Sequence, residues 1–290
     1  MPVWFVLIPL VLAAEPSPVS PVHKSASIAV ATPTDSKPAV SAVKSGSVAS
    51  KPTKAESDHF VVYSVAGVPA AKEIAELCEA QCIELRAKWL GLKTAADWNV
   101  RCDVVLHGTQ ESYLAAVGRS GVGTLGSSLV QFDEDRVALR RIDLLARDRR
   151  TALSALPHEL THVVLADRFG QQALPRWADE GIATLADSAE KQRLHLIDLQ
   201  RGLATGHTPR LTDLLFATEY PPARQRAIYY GSSLALVRYL STLDRAERVL
   251  DFVEKSMHFG HQAALKEVYG LESLAQLERG WREHLAQSSH

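Results

Sequence analysis

The chain has neither a strong net charge nor an apolar run long enough to cross a membrane as a helix. Its 290 residues contain 32 Lys and Arg against 33 Asp and Glu, which gives a formal net charge of −1. Proteins that hold nucleic acid or an anionic membrane through their overall field carry a clear positive excess. We therefore expect no nucleic-acid partner. The apolar run at residues 2–14 is too short for a transmembrane helix.

Cysteine is scarce as well, with only Cys78, Cys82 and Cys102 in the whole chain. Three cysteines are too few for a disulfide scaffold or for a zinc site built of cysteines alone. The first two lie four residues apart on a predicted helix, and Cys102 lies on a predicted strand. A single helix-to-strand bridge and buried free thiols both agree with this placement.

The first 57 residues differ in composition from the rest of the chain. Residues 1–14 resemble a signal peptide, although they lack its basic start. This predicts an exported protein (periplasmic, extracellular or at the cell envelope) with no stable membrane insertion after cleavage.

Residues 15–57 contain no Phe, Tyr or Trp and are rich in Pro, Ser and Ala. Such a segment buries too little apolar surface to fold, so we expect a disordered linker before a domain at 58–286.

The pattern within the domain changes from strands to helices. The segments "HFVVYSV" and "WNVRCDVVLHG" are typical of strands, and a long amphipathic helix that ends at Gly91 separates them. The segment "GSSLVQFDEDRVALRRIDLL" predicts a hairpin with its turn at residues 133–135. From Thr151 onward the periodicity is helical. The expected fold class is α+β, with a small, mostly antiparallel sheet packed on a helical C-terminal half.

The sequence "HELTH" at residues 158–162 carries the clearest chemical pattern. Residues four apart share one face of a helix, so His158 and His162 can direct their imidazoles at one ion. Glu159 lies between them, where it can reach a water on that ion without being a ligand. This is the mechanistic content of the H-E-x-x-H motif of zinc hydrolases.

A catalytic zinc site needs a third protein ligand and one open position. The positions that would hold a glycine and a third histidine in H-E-x-x-H-x-x-G-x-x-H are Leu165 and Arg168. Asp167 lies on the same continuous helix and cannot fold back to the ion. The better candidate is Glu180 in "LPRWADEGIA", because Pro175 ends the preceding segment and Gly181 allows a second helix to approach closely.

"HELTH" followed by "WADEGIA" resembles the gluzincin clan of zinc metallopeptidases, and more closely the peptidase MA-like domains of bacterial exported proteins. The resemblance covers most of residues 58–240 and implies a zincin-like fold with Glu180 as the third ligand. It also implies that Tyr230, in "AIYYGSSLALVRYL", donates a hydrogen bond to the oxyanion, with Tyr229 as the alternative. In this clan an extended substrate pairs with a strand beside the metal helix, which suggests the hairpin strand at residues 136–142.

Two positions depart from the pattern of the family. Thr184 stands where thermolysin-like enzymes have an aspartate that orients a ligand histidine, and Asp187 is a candidate replacement. Pro157 directly precedes His158, and proline is tolerated only near the start of a helix. We therefore expect the motif helix to begin or bend near Ser154.

These features predict a zinc-dependent hydrolase that cleaves peptide bonds in a peptide or protein substrate. His158, His162 and Glu180 would bind Zn²⁺, Glu159 would act as general base, and Tyr230 would stabilise the oxyanion. The alternative is a catalytically silent domain that keeps the metal helix as structure and binds a partner at the cell envelope.

Overall fold

A computed structural model describes residues 4–5, 23–28, 53–64, 70–94 and 98–287. The strands are β1 (Trp4–Phe5), β2 (His23–Ile28), β3 (Thr53–Glu56), β4 (Phe60–Ser64), β5 (Cys102–His107), β6 (Thr124–Asp133) and β7 (Arg136–Leu145). The helices are α1 (Ala71–Leu90), α2 (Gln110–Val117), α3 (Arg149–Phe169), α4 (Arg176–Ala186), α5 (Ala189–Ala204), α6 (Leu211–Leu215), α7 (Ala223–Leu243), α8 (Glu247–Phe259), α9 (His261–Tyr269) and α10 (Leu274–Gln287).

The strand order β6-β7-β5-β4-β3 makes an open sheet of mixed direction. β4 pairs with β5 and β5 with β7 in parallel, whereas β6 with β7 and β3 with β4 are antiparallel. The α+β class is confirmed, and the sheet is mixed: with β1 and β2, which also pair with β6, four of its six pairings are antiparallel and two are parallel. Helix α1 joins β4 to β5 as a crossover, and a crossover returns the chain in the same direction.

Local signals in the sequence account for the positions of several elements. Gly91 ends α1 in the left-handed conformation, with φ 68°, and its N–H is donated to the carbonyl of Arg86. The predicted hairpin is present as β6 and β7. Glu134 lies in its turn with φ 52° and is the one non-glycine residue among the described residues with positive φ.

Three segments of the first 57 residues form strands at the margins of the sheet. β3 pairs with β4, and β1 and β2 pair with β6 on the side away from β7. β2 and β3 fall inside the predicted linker, so the structure differs from the prediction at those positions. A strand at a sheet edge needs only backbone pairing, which composition does not reveal. The remainder of residues 1–14 and 15–57 lies outside the described residues.

Helices cover both faces of the sheet. α1 and α3 lie side by side on one face, where α1 packs on β4 and α3 packs on β6 and β7. On the other face, Tyr113 and Val117 of α2 pack against Leu145. The three cysteines are buried free thiols, so no disulfide bridge is present. Within the described residues no helix is both long and apolar enough to cross a membrane.

The helix that carries the histidine motif begins earlier than the proline suggested. α3 starts at Arg149, and the side chain of its N-cap Asp148 accepts a hydrogen bond from the backbone N–H of Thr151. Pro157 therefore lies inside the helix, and a start near Ser154 is wrong. The Asp148 cap supplies a strong start signal upstream, which outweighs the preference of proline for the first turn.

Candidate metal centre

Two successive helices bring two histidines and a glutamate together. His158 and His162 come from α3, and Glu180 comes from α4. One possible ligand atom from each residue can be chosen such that all three lie within 4.8 Å of one another. Nε2 of His158 is 3.5 Å from Oε2 of Glu180, close to the roughly 3.4 Å expected between two ligands of one tetrahedral ion. The three positions named from the sequence thus meet at one point.

Both imidazoles are oriented by carboxylates behind them. Nδ1 of His162 lies 2.6 Å from Oδ1 of Asp179, and Nδ1 of His158 lies 3.2 Å from Oδ2 of Asp187. A neutral imidazole whose Nδ1–H is donated to a carboxylate presents its Nε2 lone pair on the opposite side. This arrangement holds metal-binding histidines in place in many proteins.

The atoms that face one another at the centre of the cluster lack hydrogen-bond partners, although Nε2 of His158 and Oε2 of Glu180 are within ion-pair distance. Nε2 of His158, Nε2 of His162 and Oε2 of Glu180 are buried and make no hydrogen bond within the described residues. Leaving such atoms unsatisfied costs free energy, and a bound cation removes that cost. The donor set of two nitrogens and one carboxylate oxygen also matches the ligands that zinc takes in catalytic sites. The residues therefore fit a divalent metal.

The electrostatic field of the cluster favours positive charge. Burial lowers the pKa of His158, but the carboxylates of Asp187 and Glu180 outweigh it and raise this pKa to about 10. Burial likewise lowers the pKa of His162, and Asp179 more than offsets it, so that pKa lies above its ordinary value. Carboxylates that stabilise protonated imidazoles in this way also stabilise a metal cation that takes the place of the protons.

A tyrosine that the sequence analysis did not identify orients the third candidate ligand. The hydroxyl of Tyr220, in the segment before α7, donates a hydrogen bond to Oε1 of Glu180. Burial and then the charge of Glu180 raise the pKa of Tyr220 well above its ordinary value, so the phenol stays protonated. With Oε1 held by Tyr220, Oε2 is the oxygen that faces His158.

Gly181 allows α4 to lie directly against α7; a close approach at this glycine was predicted, but not the helix that it contacts. A Cβ at position 181 would lie 2.6 Å from the carbonyl oxygen of Ser233 and 2.7 Å from Cγ2 of Val237. Because the nearest atom belongs to the backbone of α7, an added Cβ would force the two helices apart. The close approach places the neighbouring Glu180 between α3 and α7.

We expect Gly181→Ala to destabilise the fold by about 1–3 kcal/mol through overpacking. Alanine favours a helix over glycine by about 1 kcal/mol, so the clash must exceed that gain for the melting temperature to fall. Thermal unfolding followed by circular dichroism measures the difference. A rise in melting temperature would show that the α4–α7 contact is looser than the structure has it.

Glu159 lies between α3 and strand β6. Its side chain is fully buried, and a Cβ at Gly126 would fall 2.6 Å from Cγ and 2.7 Å from Oε1 of Glu159. Only glycine at position 126 lets the β6 backbone lie this close to the carboxylate. Further along β6, Ser128, Leu129 and Val130 line a cavity of about 10 Å³ together with His162.

The strand beside the candidate centre is β6 and not the strand at residues 136–142. β7, which contains those residues, is hydrogen-bonded to β5 on one side and to β6 on the other. Residues 140–145 of β7 have no open edge, so the prediction that a substrate pairs there is wrong for residues 140–142, whereas residues 136–139 pair with β6 but not with β5. The sequence predicts both strands of the hairpin but not which of them pairs with a third strand. Here β5 pairs with β7, whereas the other side of β6 pairs with β2.

The two tyrosines proposed as oxyanion donors lie on α7 close to Glu180. The ring of Tyr230 stacks on that of Tyr220 with centroids 6.4 Å apart, and Tyr229 contacts both rings. Burial, followed by the charge of Glu180, raises the pKa of Tyr230 well above its ordinary value. Burial and then the charge of Glu180 also raise the pKa of Tyr229, so both phenols stay protonated and the choice between them stays open.

Asp179 and Tyr220 are the supporting residues that sequence reasoning missed, whereas Asp187 was considered. Asp179 had a usable signal, since it directly precedes Glu180 and ligand histidines commonly donate to a carboxylate. Tyr220 had none, because it lies 40 positions from Glu180 in a segment without regular structure. Asp167, set aside as a ligand, is instead hydrogen-bonded to Arg86 and Arg140.

A scan against protein-family models found no match to this chain, and a search of curated proteins found no significant one.

Proposed function

We propose that this protein is a zinc-dependent hydrolase of peptide bonds, with Zn²⁺ held by His158, His162 and Glu180. The observation that carries the proposal is the convergence of three buried ligand atoms that make no hydrogen bond, beside a buried glutamate. A purely structural metal site would have no use for Glu159 at that position. The proposal includes export of the chain, on the composition of residues 1–14, and membership of the gluzincin clan.

When bound, zinc supplies Lewis acidity toward a water and toward the carbonyl oxygen of the scissile bond. Glu159 accepts the proton of the attacking water and passes it to the leaving amine. Tyr230 donates a hydrogen bond to the oxyanion that develops on the carbonyl. Asp187 and Asp179 keep His158 and His162 in the tautomer that presents Nε2.

An extended peptide substrate would pair with the β6 edge beside His162. Main-chain hydrogen bonds to a strand bind peptides with little dependence on their sequence. Residues 128–130 of β6 lie next to the histidine, which would place the scissile bond beside Glu159. Because β2 pairs with the same edge, a substrate would have to replace it there.

The test begins with the purified full chain and its metal content. We expect about one zinc per chain by elemental analysis, and hydrolysis of at least some members of a peptide library. Incubation with a chelator should abolish cleavage, and added zinc should restore it. Cleavage that persists in a chain stripped of metal would refute the proposed chemistry.

The carboxylates behind the histidines should tune the affinity for metal. We expect Asp179→Asn and Asp187→Asn each to weaken zinc binding by roughly 10- to 100-fold, because an amide orients and polarises imidazole less well than a carboxylate. Competition with a chromophoric chelator measures the affinity. Asp198→Asn, on the neighbouring helix α5, is the matched control. Unchanged affinity in both site variants would show that these contacts do not support a metal.

A further inference from the structure

A second cavity, of about 580 Å³, lies apart from the histidine–glutamate cluster. The end of α1, the loop at Trp98, the β6–β7 hairpin and the last turn of α3 form its walls. None of His158, His162 and Glu180 lines it. Its volume is within the roughly 300–1,000 Å³ of small-molecule sites.

Two buried arginines in this cavity share a single carboxylate. Arg86 and Arg140 are only 7% and 5% exposed. Nη1 of Arg86 lies 2.5 Å from Oδ2 of Asp167, and Nη2 of Arg140 lies 3.0 Å from its Oδ1. Each carboxylate oxygen of Asp167 thus accepts a hydrogen bond from one guanidinium. Two positively charged side chains therefore share one negative charge.

The neighbouring polar groups do not supply the missing negative charge. The indole N–H of Trp98 also donates a hydrogen bond to Asp167, with 2.8 Å between Nε1 and Oδ2. The same carboxylate therefore accepts hydrogen bonds from a third side chain. Arg168 is paired with Asp251 and Glu254, so those acids are already engaged. The remaining acid in the wall, Asp135, is exposed to solvent on the hairpin turn.

Both arginines also retain donors without acceptors. The Nε atoms of Arg86 and Arg140 are buried and have no hydrogen-bond partner within the described residues. These inner atoms are closed off from the cavity, but an uncompensated buried charge is costly, and an anion bound beside the guanidiniums reduces that cost. Guanidinium groups bind carboxylates through paired hydrogen bonds, which gives such a site geometric preference as well as charge.

Part of the remaining wall is apolar. Leu90, Phe132 and Val137 line the cavity, and the ring of Trp98 lies against Arg140, with 4.4 Å from the guanidinium carbon to the ring centroid. A free inorganic ion would leave this surface in contact with water. We propose that the cavity binds a small organic carboxylate with an apolar body, whose charge is held by Arg86 and Arg140. This site is independent of the proposed hydrolase function.

Titration of the full chain with hexanoate, hexan-1-ol and inorganic phosphate, followed by isothermal calorimetry, tests the site. We expect saturable binding of hexanoate at least tenfold tighter than that of the other two probes. Arg140→Gln should weaken hexanoate binding by about 10-fold or more, since it removes a charged donor. Arg136→Gln, exposed on the same strand, is the control and should leave binding unchanged.

A second variant separates a ligand site from a purely structural ion cluster, and it keeps the test decisive if Arg140→Gln does not fold. Asp167→Asn removes the internal competitor for both guanidiniums while preserving the shape of the side chain. We expect it to bind hexanoate at least tenfold more tightly than the parent chain. Absence of hexanoate binding in both the parent and Asp167→Asn would overturn the proposal. Phosphate binding equal to that of hexanoate would refute the requirement for an apolar body.

Discussion

Replacing Glu159 by glutamine is expected to reduce peptide hydrolysis by on the order of 10²–10⁴-fold while zinc content stays the same. The amide keeps the size of the side chain against Gly126 but cannot accept the proton of the attacking water. Elemental analysis and a chelator-sensitive peptide cleavage assay, run on the same preparations, measure the two quantities separately. A loss of activity with retained metal assigns the proton transfer to this carboxylate.

The matched control is Glu190→Gln, an exposed glutamate at the start of α5 that should leave both readouts unchanged. Equal zinc binding by the parent chain and by Glu159→Gln, with no cleavage by either, would favour the alternative of a binding module at the cell envelope. Full activity in Glu159→Gln would contradict its role as general base.

Glu180→Ala is expected to weaken zinc binding by at least about 100-fold, more than the loss of a supporting carboxylate does. The change removes one of three ligands and leaves the hydroxyl of Tyr220 without its acceptor. Zinc at 100 times its dissociation constant should stabilise the parent fold by about 2.7 kcal/mol. Thermal melts with and without zinc should show this stabilisation in the parent chain and little or none in the variant.

Glu219→Ala, which changes an exposed glutamate next to Tyr220, serves as the control for Glu180→Ala. It should retain both zinc affinity and zinc-dependent stabilisation. If Glu180→Ala binds zinc as tightly as the parent chain, the third ligand is a different group and the proposed centre is wrong.

The elements with strong local signals could be predicted from the sequence. Gly91 ends α1 where expected, because few residues other than glycine adopt positive φ readily. The alternation of β6 and β7 and the helical C-terminal half also appear as predicted. The prediction from Pro157 failed because it ignored the competing N-cap at Asp148, six residues before Ser154. The strand order and the two parallel pairings had no local signal, so the sequence did not predict them.

What the sequence determined by itself is the pairing of His158 with His162, since the helical repeat places residues four apart on one face. It also indicated Glu180, because a helix break precedes this residue and a small residue directly follows it. Only the tertiary structure decided that Asp179, Asp187 and Tyr220 support these side chains and that β6 runs beside Glu159. The same holds for Arg86 and Asp167, which are 81 positions apart and meet across α1 and α3. Contacts of that kind depend on how whole elements pack, and packing is a property of the assembled surfaces and not of any short stretch of chain.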